Sequence, residues 1–182
     1  MYAVPYHYYE EMNIRRWGAH GTSHRFVTQR VCEVLGTQPE NQKIITCHIG
    51  NGASVSAVNH GKCIDTSMGL TPLEGLMMGT RTGDLDASVV LAIMKKEGKT
   101  PDEMQDLLNK KSGLLGISGL GSDMRDVENG VKEGNERAKL ALDMYNYRIK
   151  KYIGAYAAAM GGVDTIVFTA GVGEHQWDVR YN

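Results

Sequence analysis

Apolar and polar positions along the chain fall into segments of distinct period. Lys43 to Ile49 is an apolar run of strand length, read as a buried strand that ends at Gly50-Asn51-Gly52. Beyond the glycines Val55 and Ala57 alternate with Ser54 and Ser56, a strand pattern, and Asn59-His60-Gly61-Lys62 offers a turn into Cys63-Ile64-Asp65. A helix is predicted from about Arg25 to Leu35, with Phe26, Val27, Val31, Val34 and Leu35 as its inward face. Thr22 or Ser23 is its expected N-cap and Gly36 its stop, so that His20 precedes it. Helical spacing returns over 87–97, over Pro101 to Lys110 behind a Thr100 cap, and over roughly 24 residues from Asn135 to Met160. Gly161-Gly162 stop that long helix. Thr165 to Ala170 reads as a fully buried strand, Gly171-Val172-Gly173-Glu174 as a turn, and His175 onward as a further helix.

Three stretches resist a period. Residues 1–19 read as a short helical piece and then an extended one. The segment 66–83 is too rich in glycine for a helix and too apolar for a solvated loop; long irregular segments of this kind are often functional. Residues 112–126 read as a second glycine-punctuated loop. Glycine, 22 of 182 residues, is about 12% against a usual ~7%, and it clusters at 50–52, 69–83, 113–121 and 171–173. Such clusters fit several backbone loops converging on one ligand, or equally an ordinary α/β domain with many turns.

Composition narrows the classes. A net charge of −1 recommends neither nucleic acid nor an anionic membrane as partner. No run approaches the roughly 18 apolar residues of a membrane span. Cys32, Cys47 and Cys63 lack metal-type spacing, and their odd number argues against a secreted disulfide framework. Cys47 and Cys63 are expected as core thiols and the compartment as cytoplasmic. No internal repeat or linker is evident. Because the chain stops barely two turns into its last predicted helix, it is expected to be a fragment.

The strand–glycine–strand element at 43–58 carries the functional reading. A dinucleotide or P-loop site needs a helix after its glycines, so that the helix N-terminus meets the phosphate. Here a hairpin would cradle the anion with backbone amides and the Asn51 side chain. That suggests the phosphate hairpins of the sugar-kinase, heat-shock and actin type of ATPase, and the expected fold is ribonuclease H-like α/β with a mixed sheet flanked by helices.

Five motifs then point to one family: His20-Gly-Thr-Ser-His24, His48-Ile-Gly-Asn-Gly52, the run Asp65 to Arg81, Ser122-Asp-Met-Arg125 and Gly171-Val-Gly-Glu174. In order and spacing, over nearly the whole chain, they resemble the acetokinase family. The resemblance implies a two-domain kinase that dimerises with itself and makes acetyl phosphate and ADP reversibly from ATP and acetate, with Mg²⁺. It implies that residues 1–182 are one nucleotide-binding domain, incomplete, lacking the family's first domain and C-terminal end. By the same resemblance Arg81 is the catalytic arginine and His20 donates to the phosphoryl oxygens. ATP would be held by His48, Gly50, Asn51, Gly52, Asp123, Met124, Arg125, Gly171, Val172, Gly173, Glu174 and His175. Ala19 and Pro72 would wall the acyl pocket. No metal ligand is expected within this chain, and the chain alone is not expected to be a competent kinase.

Plainer readings stand beside these. His20 and His24 could be a metal pair, but Gly21 stands where a zincin has Glu. His24 is expected to be a structural hydrogen-bonding residue, Asp123 and Arg125 could be only an ion pair, and without the resemblance Arg81 would pair with Asp84 or Asp86. Asp84 and Asp86 are expected in a solvated loop or behind the site, His60 exposed in its turn. The long-helix tyrosines are expected in core or dimer packing. Two alternatives to an acetate kinase remain open: a propionate or other short-chain acyl kinase, favoured by the small Ala19, and a non-catalytic nucleotide-binding or dimerisation module. ATP and pyrophosphate both remain open as phosphoryl donor.

Overall fold

In the computed structural model, which describes residues 1–181, the strand-forming runs assemble into one four-stranded sheet. Its strands are β1 (Lys43–Ile49), β2 (Ala53–Asn59), β3 (Lys62–Thr66) and β4 (Thr165–Thr169), in the order β3-β2-β1-β4. The first three form an antiparallel meander, with a bulge at Ala57/Val58, and β4 joins β1 in parallel, Ile44 opposite Thr165. The α/β architecture expected from the sequence, a mixed sheet flanked by helices, is the one observed.

The two faces of the sheet differ because side chains alternate along each strand. Ile45, Cys47, Ile49, Ala53, Val55 and Ala57 face α7 (Glu136–Met160), whose Ala138, Ala141, Tyr145, Ile149, Tyr156 and Met160 cover them as the main core. Helix α7 is capped by Asn135, whose side chain accepts from the Ala138 N–H, and is ended by Gly161 in the left-handed region. The other face carries Ile44 and Val58 at one end, with Thr46, Ser54 and Ser56 buried at the other; α2 (Gly21–Leu35) lies over it.

Before α2 stands the short α1 (His7–Met12). The helix α4 (Pro101–Lys110) begins at the expected cap, Thr100, in a reciprocal capping box with Glu103, and α3 (Ala87–Glu97) begins at Asp86, an unexpected cap.

Several expectations are corrected. Helix α2 presents His24, Thr28 and Cys32 inward, with Val27 and Val31 half-buried beside them, while Phe26, Val34 and Leu35 are exposed: the face it covers is polar around Thr46 and Ser54 and apolar only at Ile44 and Val58, so the inward stripe is mixed. It begins at Gly21, with His20 as N-cap residue and no side-chain cap. The stretch 112–126 is a loop only over 119–123, between α5 (Gly113–Ser118) and the start of α6 (Met124–Lys132). Strand β4 is only half-buried, having a neighbour on one edge alone among the described residues. Residues 171–173 are helical, within α8 (Ala170–His175), which is followed by α9 (Trp177–Tyr181). Cys63 is exposed, whereas Cys32 and Cys47 are buried.

Candidate functional site

The Gly50-Asn51-Gly52 turn joins β1 to β2 with no helix after it, and two groups of side chains gather on either side of it. The first is a histidine cluster. His20 sits at φ +62°, a left-handed conformation uncommon for a residue with a Cβ, which lifts its ring onto β2. There the ring stacks on His48, centroids 4.0 Å apart, and its Nδ1 lies 2.8 Å from Ser54 Oγ. His48 Nδ1 in turn lies 2.9 Å from Ser23 Oγ. His24, deeper, is held between Thr46 Oγ1 and Ser54 Oγ, 2.7 Å from each. It is the structural residue expected. Burial, then the neighbouring imidazoles, and for His20 also Arg81, hold His20 and His24 down at about 4, so that both rings are neutral near pH 7. Burial likewise lowers His48.

Arg81 meets this cluster from the segment 66–83, which is buried through Met68, Leu76, Met77 and Met78. Two clamps hold that segment. Arg16 donates to the carbonyls of Thr66 and Ser67 and pairs with Glu74 at 2.6 Å, and the Tyr2 hydroxyl bonds the same carboxylate. On the other side Asp84 accepts from the Gly75 N–H and the Tyr152 hydroxyl and pairs with Arg148 at 3.3 Å. Asp84 therefore ties down the loop, and Asp86 caps α3; neither pairs with Arg81 in the described ion pairs. The amides of Ser112, Leu114 and Leu115, around the start of α5, donate to the carbonyls of Thr80, Met78 and Gly79, which fixes the turn carrying Arg81. Arg81 Nη1 donates to the Pro72 carbonyl at 3.1 Å. A Cβ built on Gly52 would stand 3.5 Å from Arg81 Nη1 and 3.8 Å from His20 Nε2, so both nitrogens converge on the turn.

On the other side of the turn opens a cavity of about 560 Å³, lined by Gly50, Asn51, Gly79, Ser122, Asp123, Met124, Arg125, Gly171, Val172 and His175, among others. A volume of that size accommodates a small-molecule ligand. Gly79 is needed here: its N–H donates to the Asn51 carbonyl at 3.0 Å, and a Cβ would collide with Asn51 Oδ1 and the Ser122 carbonyl. Asp123 caps α6 and makes a forked pair with Arg125; that hydrogen-bonded pair holds its carboxyl down at about 2. Arg125 itself is exposed at the cavity mouth.

Not every expected residue lies here. Gly173 packs on Ile49 and Phe168, and Glu174 turns back to accept from Thr169 Oγ1 and the Ala170 N–H; neither lines the cavity. His48 and Gly52 stand with the histidines instead. Ala19 precedes His20, its carbonyl 3.3 Å from Ser54 Oγ. Sequence reasoning missed Thr46, Ser54, Gly79, Leu114, Tyr145 and Gln176. For Ser54 a signal existed: a serine alternating with apolar residues directly after the glycine turn.

Among the described residues no group of three or more His, Cys, Asp or Glu side chains could hold an ion.

Comparison with known proteins resolves the family. The Acetokinase family profile matches residues 1–182. The chain is 66% identical over 180 residues to the acetate kinase of Phocaeicola vulgatus, covering 99% of this chain and 45% of that protein. It is 66% identical over 176 residues to the acetate kinase of Thermotoga petrophila, covering 96% of this chain and 44% of that one. The crystal structure of Porphyromonas gingivalis acetate kinase superposes with a TM-score of 0.98 at 56% identity, over all of this chain and 45% of that chain. A propionate kinase from Francisella tularensis superposes with a TM-score of 0.94 at 44% identity, over 98% of this chain and 46% of that one. The chain thus spans about 45% of the length of the curated relatives it matches. With the glycine hairpin, the converging His20 and Arg81 and the cavity beyond them, this likeness places the chain in the Acetokinase family.

Proposed function

We propose that this chain is the nucleotide-binding part of an acetate kinase, an enzyme that moves a phosphoryl group reversibly between ATP and acetate. The observation that carries the reading is the convergence of Arg81 Nη1 and His20 Nε2 on Gly52, in the same glycine turn whose Gly50 and Asn51 line the cavity. In this reading ADP or ATP occupies the cavity, its base side near Asp123–Arg125 and Gly171–His175. Its phosphates run past Gly50, Asn51 and Gly52 toward Arg81.

The chemistry follows from the groups present. Phosphoryl transfer through a loose transition state leaves little covalent work for the protein, and fixed charge and donors supply the catalysis. Arg81 stays charged and presents a planar fork to the equatorial oxygens. Pro72 holds its Nη1, so the guanidinium is oriented before the substrate arrives. His20, neutral, adds one N–H. Mg²⁺, when bound with the nucleotide phosphates, would neutralise charge there; among the described residues no group of three or more His, Cys, Asp or Glu side chains could hold it.

The acceptor is a short-chain carboxylate. Propionate is a second reading, supported by the small side chain at Ala19 and by the likeness to the Francisella tularensis propionate kinase. Comparing kcat/KM for the two acids before and after Ala19→Phe separates them, over a range of only ~1–3 kcal/mol per methylene. The reading includes a homodimer, supported by Leu140, Met144 and Tyr147 exposed in one stripe of α7, and a cytoplasmic location. The 182-residue chain alone is expected to bind ADP without turning over.

The test is calorimetry with ADP on the chain and on Asn51→Ala, then an acetyl-phosphate assay of the full-length enzyme with Arg81→Ala. Loss of binding in the first variant and a drop of roughly a thousandfold or more in kcat in the second are expected. A near-unchanged rate in Arg81→Ala removes the assignment.

A further inference from the structure

Behind His20 lies a chain of hydrogen bonds that the proposed function does not use. Thr46 Oγ1 is 2.7 Å from His24 Nδ1, His24 Nε2 is 2.7 Å from Ser54 Oγ, and Ser54 Oγ is 2.8 Å from His20 Nδ1. Thr46 and Ser54 are fully buried and His24 is 5% exposed, so each group must find its partner inside the protein. Ser56, two residues along the same strand face, is bonded to Thr66 and takes no part.

We propose that Ser54 is a positioning residue for His20: with Thr46 and His24 behind it, it holds the ring through Nδ1 and turns a neutral Nε2–H toward the space beside Arg81. The inference rests on the nucleotide reading only for what that N–H would meet.

The argument is a count of protons. Ser54 has one hydroxyl proton and three neighbours: two imidazole nitrogens and, at 3.3 Å, the Ala19 carbonyl. A neutral imidazole has one N–H and one lone pair, so fixing one nitrogen fixes the other. Let the Thr46 hydroxyl donate to His24 Nδ1. Then His24 Nε2–H donates to Ser54 Oγ, the Ser54 hydroxyl donates to His20 Nδ1, and the His20 proton sits on Nε2. Run in reverse, or with the Ser54 hydroxyl donating to the Ala19 carbonyl and His20 Nδ1–H donating to Ser54, the same groups leave a bare lone pair on His20 Nε2, aimed where phosphoryl oxygens would lie. Either is repulsive to an anion; the first arrangement is attractive. A cationic ring would donate as well, but burial, the stacked His48 and Arg81 all oppose a charge there. The ring is thus held at two points, by its left-handed backbone and by Ser54.

Two-bond ¹H–¹⁵N correlation spectra of the imidazoles in the 182-residue chain test the proton placement without any ligand. His20 and His24 are both expected with a pyrrole-like Nε2 and a pyridine-like Nδ1; an N–H on Nδ1 of either ring overturns the relay. Ser54→Ala is expected to release the His20 ring, so that its nitrogen signals shift and broaden while the backbone amide spectrum stays folded. Should Ser54→Ala not fold, Thr46→Val, nearly isosteric and touching neither His20 nor the cavity, is expected to shift the His24 and His20 nitrogens together. Unchanged His20 nitrogens in a folded variant also overturn it.

In the full-length enzyme Ser54→Ala is expected to lower kcat by roughly tenfold with KM for ATP unchanged. In a His20→Ala background the same substitution is expected to cost nothing further, since Ser54 acts only through His20. An additive loss assigns Ser54 to stability alone. Failure of the chain to bind ADP, with the tautomers as expected, removes the nucleotide reading and leaves the relay standing.

Discussion

The two faces of β1 and β2 are built from alternate residues of the same strands, yet they are held by different physics. Under α7, Ile45, Ile49, Val55 and their neighbours are buried by area removed from water, a force that asks little about direction. Under α2, Thr46, Ser54 and Ser56 are buried just as fully, and each is held by a directed bond. The first face tolerates any group of the right volume. The second tolerates only groups whose donors and acceptors match, because an orphaned buried partner costs more than a made bond gains. Undirected packing and the histidine cluster thus stand on opposite sides of one sheet, while the cavity borders the α7 side through Leu114, Met124 and Tyr145.

The contrast can be broken most strongly from the apolar side. Ile45→Ala is expected to cost about 2–5 kcal/mol in urea denaturation, while ADP affinity of the folded fraction stays as it was.

Acid attacks only the other side. His24 protonates near pH 6.5 in the unfolded chain and at about 4 in the folded one, so the unfolded state binds the proton first. Its contribution is fully present above pH 6.5, declines as pH falls toward 4, and is constant below that. At ~1.4 kcal/mol per pH unit, the loss for this nearly enclosed ring is at most about 3 kcal/mol. His20 shifts in the same direction and adds less, being more open to solvent. Denaturation midpoints at pH 7 and pH 4.5, in wild type and His24→Gln, measure this. An equal pH slope in the two proteins would disprove it.

Thr46→Val sharpens the comparison, since it changes shape little and leaves His24 Nδ1 unpaired. A loss of about 1–3 kcal/mol is expected, where the same exchange between apolar isosteres facing α7 would be near neutral. Ser56→Ala is the mildest. Its partner Thr66 Oγ1 also contacts the Val55 carbonyl, and a loss within about 1 kcal/mol is expected by thermal unfolding.

The same contrast decides what could be read from the chain. The apolar side is legible: the length of α7, its glycine stop, the strand at 43–49 and the hairpin at Gly50–Gly52 all follow from periods and turn residues. Helix α2 is legible in extent but not in orientation. Counting apolar residues selects Phe26, Val27, Val31, Val34 and Leu35, of which only Val27 and Val31 are half-buried, and the buried stripe is His24, Thr28 and Cys32, because part of the surface it meets is polar. Helix α5 escapes for another reason. Gly113 stands at φ +61°, with a site for a Cβ already filled by the Met78 carbonyl, and that close approach is a tertiary fact. Of the site, the glycine hairpin is readable locally. The meeting of Arg81 with His20 is not, since it depends on the clamps that Arg16 and Asp84 place on the segment 66–83.

The parallel pairing of β1 with β4 sets a timetable for a ribosome. Ile44 waits for a neighbour about 120 positions later, which at typical translation speeds is on the order of ten seconds. The meander can close on itself almost at once, being local. Its oily side stays bare until α7 has emerged, and a nascent chain paused before that helix is a natural client for a chaperone.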